Sequence, residues 1–135
     1  MSGGRWNPPG RAVIYLAGSY AAGLLENLIR LGFGTLPPQT IVGIAEWPVG
    51  LKVTRHEVEG LEAGWDVADY AVGQRIGRAW LASGRSAILD VPSIVGRPYE
   101  RTIVIDPAHP DAKQVVLGAP TPVEWDTRLF ARHGA

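Results

Sequence analysis

The sequence has no cysteine, which excludes disulfides and thiolate metal sites and fits a reducing, cytoplasmic setting. Neither sign of charge is in surplus: thirteen lysines and arginines face thirteen aspartates and glutamates. Proteins that bind chiefly to nucleic-acid phosphates carry a basic excess, so a direct nucleic-acid role is disfavoured. No apolar run approaches the ~20 residues of a membrane span, and the first residues lack a signal-peptide pattern. The expectation is a soluble protein with no membrane contact. No Gly-x-Gly-x-x-Gly joins a strand to a helix, which argues against a hydride-transferring Rossmann enzyme. No spacing of histidines and carboxylates suggests a metal site, and none is predicted.

What is present is the composition of one folded domain. The chain has 135 residues, 46% hydrophobic and 19% charged, with 17 glycines and 11 prolines. That is near the common domain size, and it calls for short elements joined by tight turns. Ser2 to Gly10 reads as a loop, punctuated by Gly3-Gly4 and Pro8-Pro9-Gly10. Arg11 to Ala17 reads as a strand, apolar on both faces and therefore expected to be buried on both. Ser19 is positioned to cap a helix that ends near Leu31 with Gly32 as its stop. Ala21, Leu24, Leu25, Leu28 and Leu31 are its expected apolar stripe, with Glu26 on the opposite side one turn before Arg30. Further on, the pattern predicts strands at Thr40–Trp47, within Leu51–Val58, and at Ser86–Val91, Thr102–Ile105 and Lys113–Leu117. A turn falls at Glu59–Gly64, and a second helix covers roughly Val67–Ala82, weakened by Gly73 and Gly77. The order is mixed and strand-rich, which predicts an α+β domain with mostly antiparallel sheets.

The stretch from Gly3 to Arg30 carries the chemistry. It places Arg5 and Trp6 on a loop, Tyr15 on a strand and Glu26 on a helix. An arginine fork holds phosphate, an aromatic ring stacks on a flat ring, and a carboxylate stabilises developing positive charge. Each residue also has a plainer reading. Glu26 can be a solvated charge paired with Arg30, worth ~0.3 kcal/mol. Arg5 can be a surface residue, Tyr15 a core residue whose hydroxyl finds a backbone partner, and Trp6 a plug at the core edge. Ser93 follows a proline and reads as a turn residue, and His109, between Ala108 and Pro110, reads as a loop-ordering side chain.

The GGRWNPPG loop, the strand ending in Tyr15 and the LLENLI helix resemble the RES-domain family of bacterial toxins. The likeness continues through IGRAWL (Ile76–Leu81), DVPSIV (Asp90–Val95), DPAHPD (Asp106–Asp111) and WDTRLF (Trp125–Phe130), and so covers nearly the whole chain in the family's order. The family is named for an arginine, a glutamate and a serine, which the resemblance assigns to Arg5, Glu26 and Ser93. It implies a fold related to ADP-ribosyltransferases and an enzyme that splits nicotinamide from nicotinamide adenine dinucleotide (NAD). NAD is then the substrate, and no separate cofactor is implied. It further implies Tyr15 as a catalytic residue, Trp6, Ser93 and His109 as substrate-binding residues, and neutralisation by a cognate antitoxin carrying a helix-turn-helix region, with a homo-oligomer inside that complex. The resemblance leaves three outcomes: hydrolysis or phosphorolysis of NAD, transfer of ADP-ribose to a specific protein, or a shortened module that binds without turnover.

Three departures from the family's pattern bear on these expectations. The one domain, residues 1–135, is expected to lack the family's first strand. Arg30 stands where many members have histidine, and is expected to hold Glu26 ionised. Asp106 stands where members often have asparagine.

Overall fold

The run Ala87–Val91, apolar but for Asp90, becomes the centre of the molecule. The computed structural model describes residues 3–32, 34 and 36–130, so Ser2 lies outside the described residues. Strand β5 (Ile88–Pro92) is buried at every position. It pairs antiparallel with β6 (Arg101–Ile105), Leu89 opposite Val104. The far side of β6 takes β1 (Ile14–Ala17), also antiparallel, with Tyr15 opposite Val104. The far side of β5 takes β4 (Val53–Arg55) in parallel. The result is a four-stranded sheet in the order β1-β6-β5-β4. A parallel pair cannot be joined by a hairpin, and helix α2 (Ala71–Ser83) makes the crossover between β4 and β5.

Period-2 alternation along β5 divides the core between the sheet's two faces. Leu89 and Val91 pack with Val104, Trp6, Trp65, Trp80 and Leu81 on the α2 side. Ile88 packs with Ile103, Ile105, Leu51 and Ala87 on the other. The chain is thus an α+β domain with mainly antiparallel pairing, as its element order predicts.

Several expectations are corrected in detail. The first strand is not buried on both faces: Ile14 is 44% and Tyr15 41% exposed, because β1 is an edge strand of its sheet. The strand expected over Thr40–Trp47 breaks at Gly43-Ile44 into β2 (Ile41–Val42) and β3 (Ala45–Glu46). The tail supplies both partners, β7 (Val116–Leu117) to β3 and β8 (Thr121–Pro122) to β2. Within Leu51–Val58 only β4 is strand, and it joins β5 rather than the segment before it. The strand expected from Lys113 begins only at Val116, because Pro110–Gln114 forms a 3-10 turn capped by the His109 ring.

Helix α1 (Tyr20–Leu31) is capped as expected, the Ser19 hydroxyl accepting Ala22 N–H at 3.1 Å. Its inward side is not the predicted leucine stripe. Ala22 and Leu28 are buried, whereas Leu25, Ile29 and Leu31 are exposed. The helix lies against the edge strand β1, where Gly23 meets Ala17, and this docking turns Glu26 towards the protein. No helix among the described residues is long and apolar enough to cross a membrane.

A charge network fixes the parallel edge. Buried Asp90 takes Arg101 Nε on one carboxylate oxygen at 2.6 Å and Arg55 Nη1 on the other at 2.9 Å. Arg101 Nη2 adds the carbonyls of His56 and Asp90 at 2.6 and 3.0 Å. Without Arg101, buried Asp90 keeps only the more exposed Arg55 as a partner, and the carbonyls of His56 and Asp90 lose their arginine donor. Arg101→Ala should therefore cost about 3 kcal/mol, which lowers Tm by roughly 10 °C for a domain of this size. A thermal melt checks this, and a loss of only a degree or two would show that the network adds little.

Candidate active site

The loop before β1 is built around one asparagine. Asn7 is buried, and its Oδ1 accepts Gly4 N–H at 2.8 Å and the Tyr15 hydroxyl at 2.5 Å. Its Nδ2 donates to the Arg11 carbonyl at 2.8 Å. The Tyr15 oxygen in turn accepts Trp6 N–H at 3.0 Å. Asn7 and Tyr15 therefore button the loop onto β1. A side chain at Gly4 would meet the Tyr15 hydroxyl at 2.7 Å, so the close approach needs glycine there.

The loop's other flank rests on α2. A methyl group at Gly73 would overlap the Arg5 carbonyl, and one at Gly77 the Trp6 carbonyl. Gln74 Nε2 donates to the Gly4 carbonyl at 3.0 Å. The two glycines that weaken α2 as a helix are thus the notch into which residues 4–6 fit. Trp6 is 2% exposed and stacks on Trp65 with centroids 6.1 Å apart.

Arg5 emerges from this seat with its guanidinium held on one side. Nη1 donates to the carbonyls of Trp65 and Val67 at 2.9 and 2.6 Å. Its central carbon lies 4.7 Å from the centroid of the Tyr70 ring. Those contacts occupy one nitrogen and one face. Among the described residues nothing bonds to Nε or Nη2, the edge that presents two parallel N–H groups to an oxyanion.

Arg5, Trp6, Tyr15 and Glu26 line one small cavity of about 130 Å³, closed by Pro92, Ile94 and Thr102. Glu26 is half-buried there, and burial raises its carboxyl above the ordinary value of 4.5. The Arg30 charge opposes that rise, and so does the Ser93 hydroxyl facing the carboxyl. The Arg30 charge thus favours the ionised form, the direction expected of it, and burial outweighs it in the net shift. Arg30 is exposed and spends a hydrogen bond on Asn27, at 2.9 Å. Burial likewise raises the Tyr15 hydroxyl, with Arg5 and the Trp6 and Asn7 backbones pulling the other way. Tyr15 therefore serves as a neutral hydrogen-bonding group.

Ser93 is fully buried at the end of β5 and accepts Gly96 N–H at 3.3 Å. His109 is not brought to the cavity. Its Nδ1 accepts Asp111 N–H at 3.0 Å and its Nε2 meets the Gly84 carbonyl at 2.8 Å. Asp106 is also away from the cavity, taking Arg11 Nη2 at 3.2 Å and Ala108 N–H at 3.0 Å.

Sequence reasoning missed Asn7, Tyr70, Gln74 and Glu100. Glu100 accepts the Ser19 hydroxyl at 2.9 Å, so the cap of the helix bearing Glu26 is tied to the start of β6. Only Asn7 carried a signal, an asparagine before Pro-Pro-Gly, and it reads equally as a turn residue. A larger open groove, about 1220 Å³, runs between α1 and the two ribbons. Neither Arg5 nor Glu26 lines it, and of its four charged residues Asp90 and Arg101 are spent on the sheet, Arg30 bonds to Asn27, and Glu46 is exposed on β3. The chemistry therefore points to the smaller cavity. Among the described residues no His, Cys, Asp and Glu side chains gather as a metal-binding group.

Residues 1–126 match a family described as the RES domain. The chain is similar to the Prs ADP-ribosylating toxin of Sphingobium sp. (strain YBL2), 36% identical over 135 residues, covering 98% of this chain and 83% of that one. It is similar to Toxin Res of Yersinia enterocolitica, 32% identical over 130 residues, covering 94% of this chain and 84% of that one. It is also similar to Toxin Res of Pseudomonas putida, 28% identical over 129 residues, with 94% and 86% covered.

Proposed function

The chain belongs to the RES-domain family of toxins, and on that footing we propose that it is an enzyme that cleaves NAD at the nicotinamide–ribose bond. The observation that carries this reading is the convergence of Arg5, Tyr15 and Glu26, from loop, strand and helix, on one cavity. A cavity of about 130 Å³ is below the ~300 Å³ at which drug-sized ligand sites begin. It suits one end of a dinucleotide, with the remainder lying outside.

Arg5 holds the pyrophosphate through its free Nε–Nη2 edge. Tyr15 presents a ring face to the nicotinamide ribose, its hydroxyl being engaged by Asn7 and Trp6. As nicotinamide leaves, the ribose takes on oxocarbenium character, and the Glu26 carboxylate stabilises that charge. Ser93 orients the carboxylate from behind. Water or phosphate then attacks the ribose, cellular NAD is depleted, and a cognate antitoxin with a helix-turn-helix region restrains the toxin in the cytoplasm. Transfer of ADP-ribose to a protein is a second reading, favoured by the name of the Sphingobium relative.

The test is nicotinamide release from NAD by the purified chain, with phosphate present and absent. Product analysis separates ADP-ribose from its phosphorylated form, and a protein acceptor appears as a labelled band when lysate is added. No release under any of these conditions would reject the enzyme reading. Arg5→Lys keeps the charge but loses the two-pronged edge. It should raise the NAD KM by about 10-fold or more, the loss of one charged hydrogen bond, with a smaller effect on kcat. An unchanged KM would remove Arg5 from phosphate binding.

A further inference from the structure

We infer that Tyr70 is a positioning residue, the platform that supports one face of the Arg5 guanidinium and leaves its Nε–Nη2 edge free for a diphosphate. This rests on the reading of Arg5 as the phosphate holder. Tyr70 stands immediately before α2, whose first amide is capped by the Asp69 carboxylate at 2.9 Å. The Tyr70 carbonyl accepts Gln74 N–H at 2.8 Å. Its backbone is therefore anchored while the residue remains 41% exposed. The ring lies against the Arg5 guanidinium, whose carbon is 4.7 Å from the centroid, within the ~6 Å reach of a cation–π contact.

An arginine side chain has several free torsions, and holding it in one place costs rotamer freedom. Nη1 alone meets the carbonyls of Trp65 and Val67, so both hydrogen-bonded anchors lie at one end of the group, and among the described residues the Nε–Nη2 end has none. The Tyr70 face supplies a second support, beneath the whole group. Gly73, one turn further along α2, admits the Arg5 backbone. Base and tip of the same side chain thus rest on the start of one helix and the residue that precedes it. The segment Trp65–Tyr70 is itself tied across to the loop after β5 by Asp66 and Arg97, at 2.7 Å, so the platform is held on both sides. Ordering a long side chain before binding removes part of the entropy that binding would otherwise cost. The effect should fall on affinity for the diphosphate and only weakly on the chemical step.

The experiment compares the full chain with Tyr70→Phe and Tyr70→Leu by three readouts. The first is the NMR position of the Arg5 Nε–Hε signal, which the ring current of an aromatic neighbour displaces. The second is titration with ADP-ribose, which needs no turnover. The third is steady-state nicotinamide release. Tyr70→Phe should keep the displaced signal and bind within about twofold of the parent. Tyr70→Leu should lose the displacement and weaken ADP-ribose binding and NAD KM by about 3- to 30-fold, the range of a cation–π contact, with kcat within about threefold.

An undisplaced signal in the parent, or unchanged affinity in Tyr70→Leu, would overturn the inference. Equal losses in the Phe and Leu variants would overturn it too, by making the hydroxyl a substrate contact. Failure of the parent to bind ADP-ribose would remove the phosphate role on which it rests. A parent that binds ADP-ribose in a Tyr70-dependent way yet releases no nicotinamide would sustain the inference and reject the enzyme reading.

Discussion

Glu26→Gln should lower NAD turnover by about 10² to 10³, the loss seen when one electrostatic stabiliser of a transition state is removed. The substitution keeps the size of the side chain and its capacity to face the Ser93 hydroxyl, and removes only the charge. Its effect on stability should have the opposite sign. Burial raises the Glu26 carboxyl above 4.5, so the folded protein prefers the neutral form more than the unfolded chain does. A raised carboxyl contributes stability below the unfolded value and loses it as pH climbs through the folded one. At neutral pH the ionised Glu26 is therefore a cost, which an uncharged glutamine does not carry. The variant should melt at the same temperature as the parent or slightly higher at pH 7, and the gap should close near pH 4. Activity in the parent should fall on the acid side with a midpoint above that of an ordinary glutamate. Because the Arg30 charge opposes the rise, Arg30→Gln should move that midpoint further up. A Glu26→Gln variant retaining a tenth of parental turnover, or an acid limb below 4.5, would show that the carboxylate does not stabilise the reacting ribose.

Much of the fold was legible because its signals are local. Ser19 and Gly32 bracket α1 as a polar cap and a glycine stop, and the structure gives both. The apolar runs around Leu89 and Val104 become the two central strands, where burial on both faces leaves little else possible. What was not legible depends on distant partners. The residues of β1 are as apolar as those of β5, yet β1 is an edge and exposes Ile14 and Tyr15. Nothing within Arg11–Ala17 records which neighbour is absent. The Thr40–Trp47 run splits because its two halves meet different pieces of the tail, seventy or more residues away. In α1 the leucine stripe predicted by periodicity competes with the docking of Ala22 and Glu26, and the docking prevails. A helix that turns a charged residue inward must leave some apolar residues outward, as Leu25 and Ile29 are.

The same logic governs the candidate site. Arg5, Tyr15 and Glu26 are residue types with a recognisable chemistry, and so were legible. Tyr70, Asn7 and Gln74 act on Arg5 or its loop through geometry, and a tyrosine before a helix says nothing about an arginine sixty-five residues earlier. Ser93 and His109 illustrate the limit from both sides. Both lie in proline-containing turns, yet one lies behind Glu26 and the other ties a 3-10 turn to Gly84.

Gly77→Ala gives the sharpest contrast between local and tertiary reasoning. In a helix interior alanine is preferred to glycine by about 1 kcal/mol, so sequence alone predicts a more stable protein. In the structure the added methyl group would overlap the Trp6 carbonyl, part of a backbone held by Asn7, Tyr15 and Gln74 and unable to yield as a side-chain tip would. Overpacking of a fitted interior costs about 1 to 3 kcal/mol, and more where the obstructing atom is backbone, so the steric cost exceeds the helical gain. The expected net loss is about 2 kcal/mol, or roughly 6 to 10 °C in Tm. The effect on turnover should be larger than that stability loss. Relieving the overlap requires the loop to lift from α2, and Arg5 lifts with it, off the carbonyls of Trp65 and Val67 and off Tyr70. Displacements of about 1 Å in a positioning group can cost 10² in rate, so kcat/KM for NAD should fall by about 100-fold, chiefly through KM, at temperatures where the variant is fully folded. Circular dichroism establishes the folded fraction, and nicotinamide release measured below the melting transition isolates the kinetic effect. A variant that melts higher than the parent and turns over normally would mean that the loop does not sit in the glycine notch of α2.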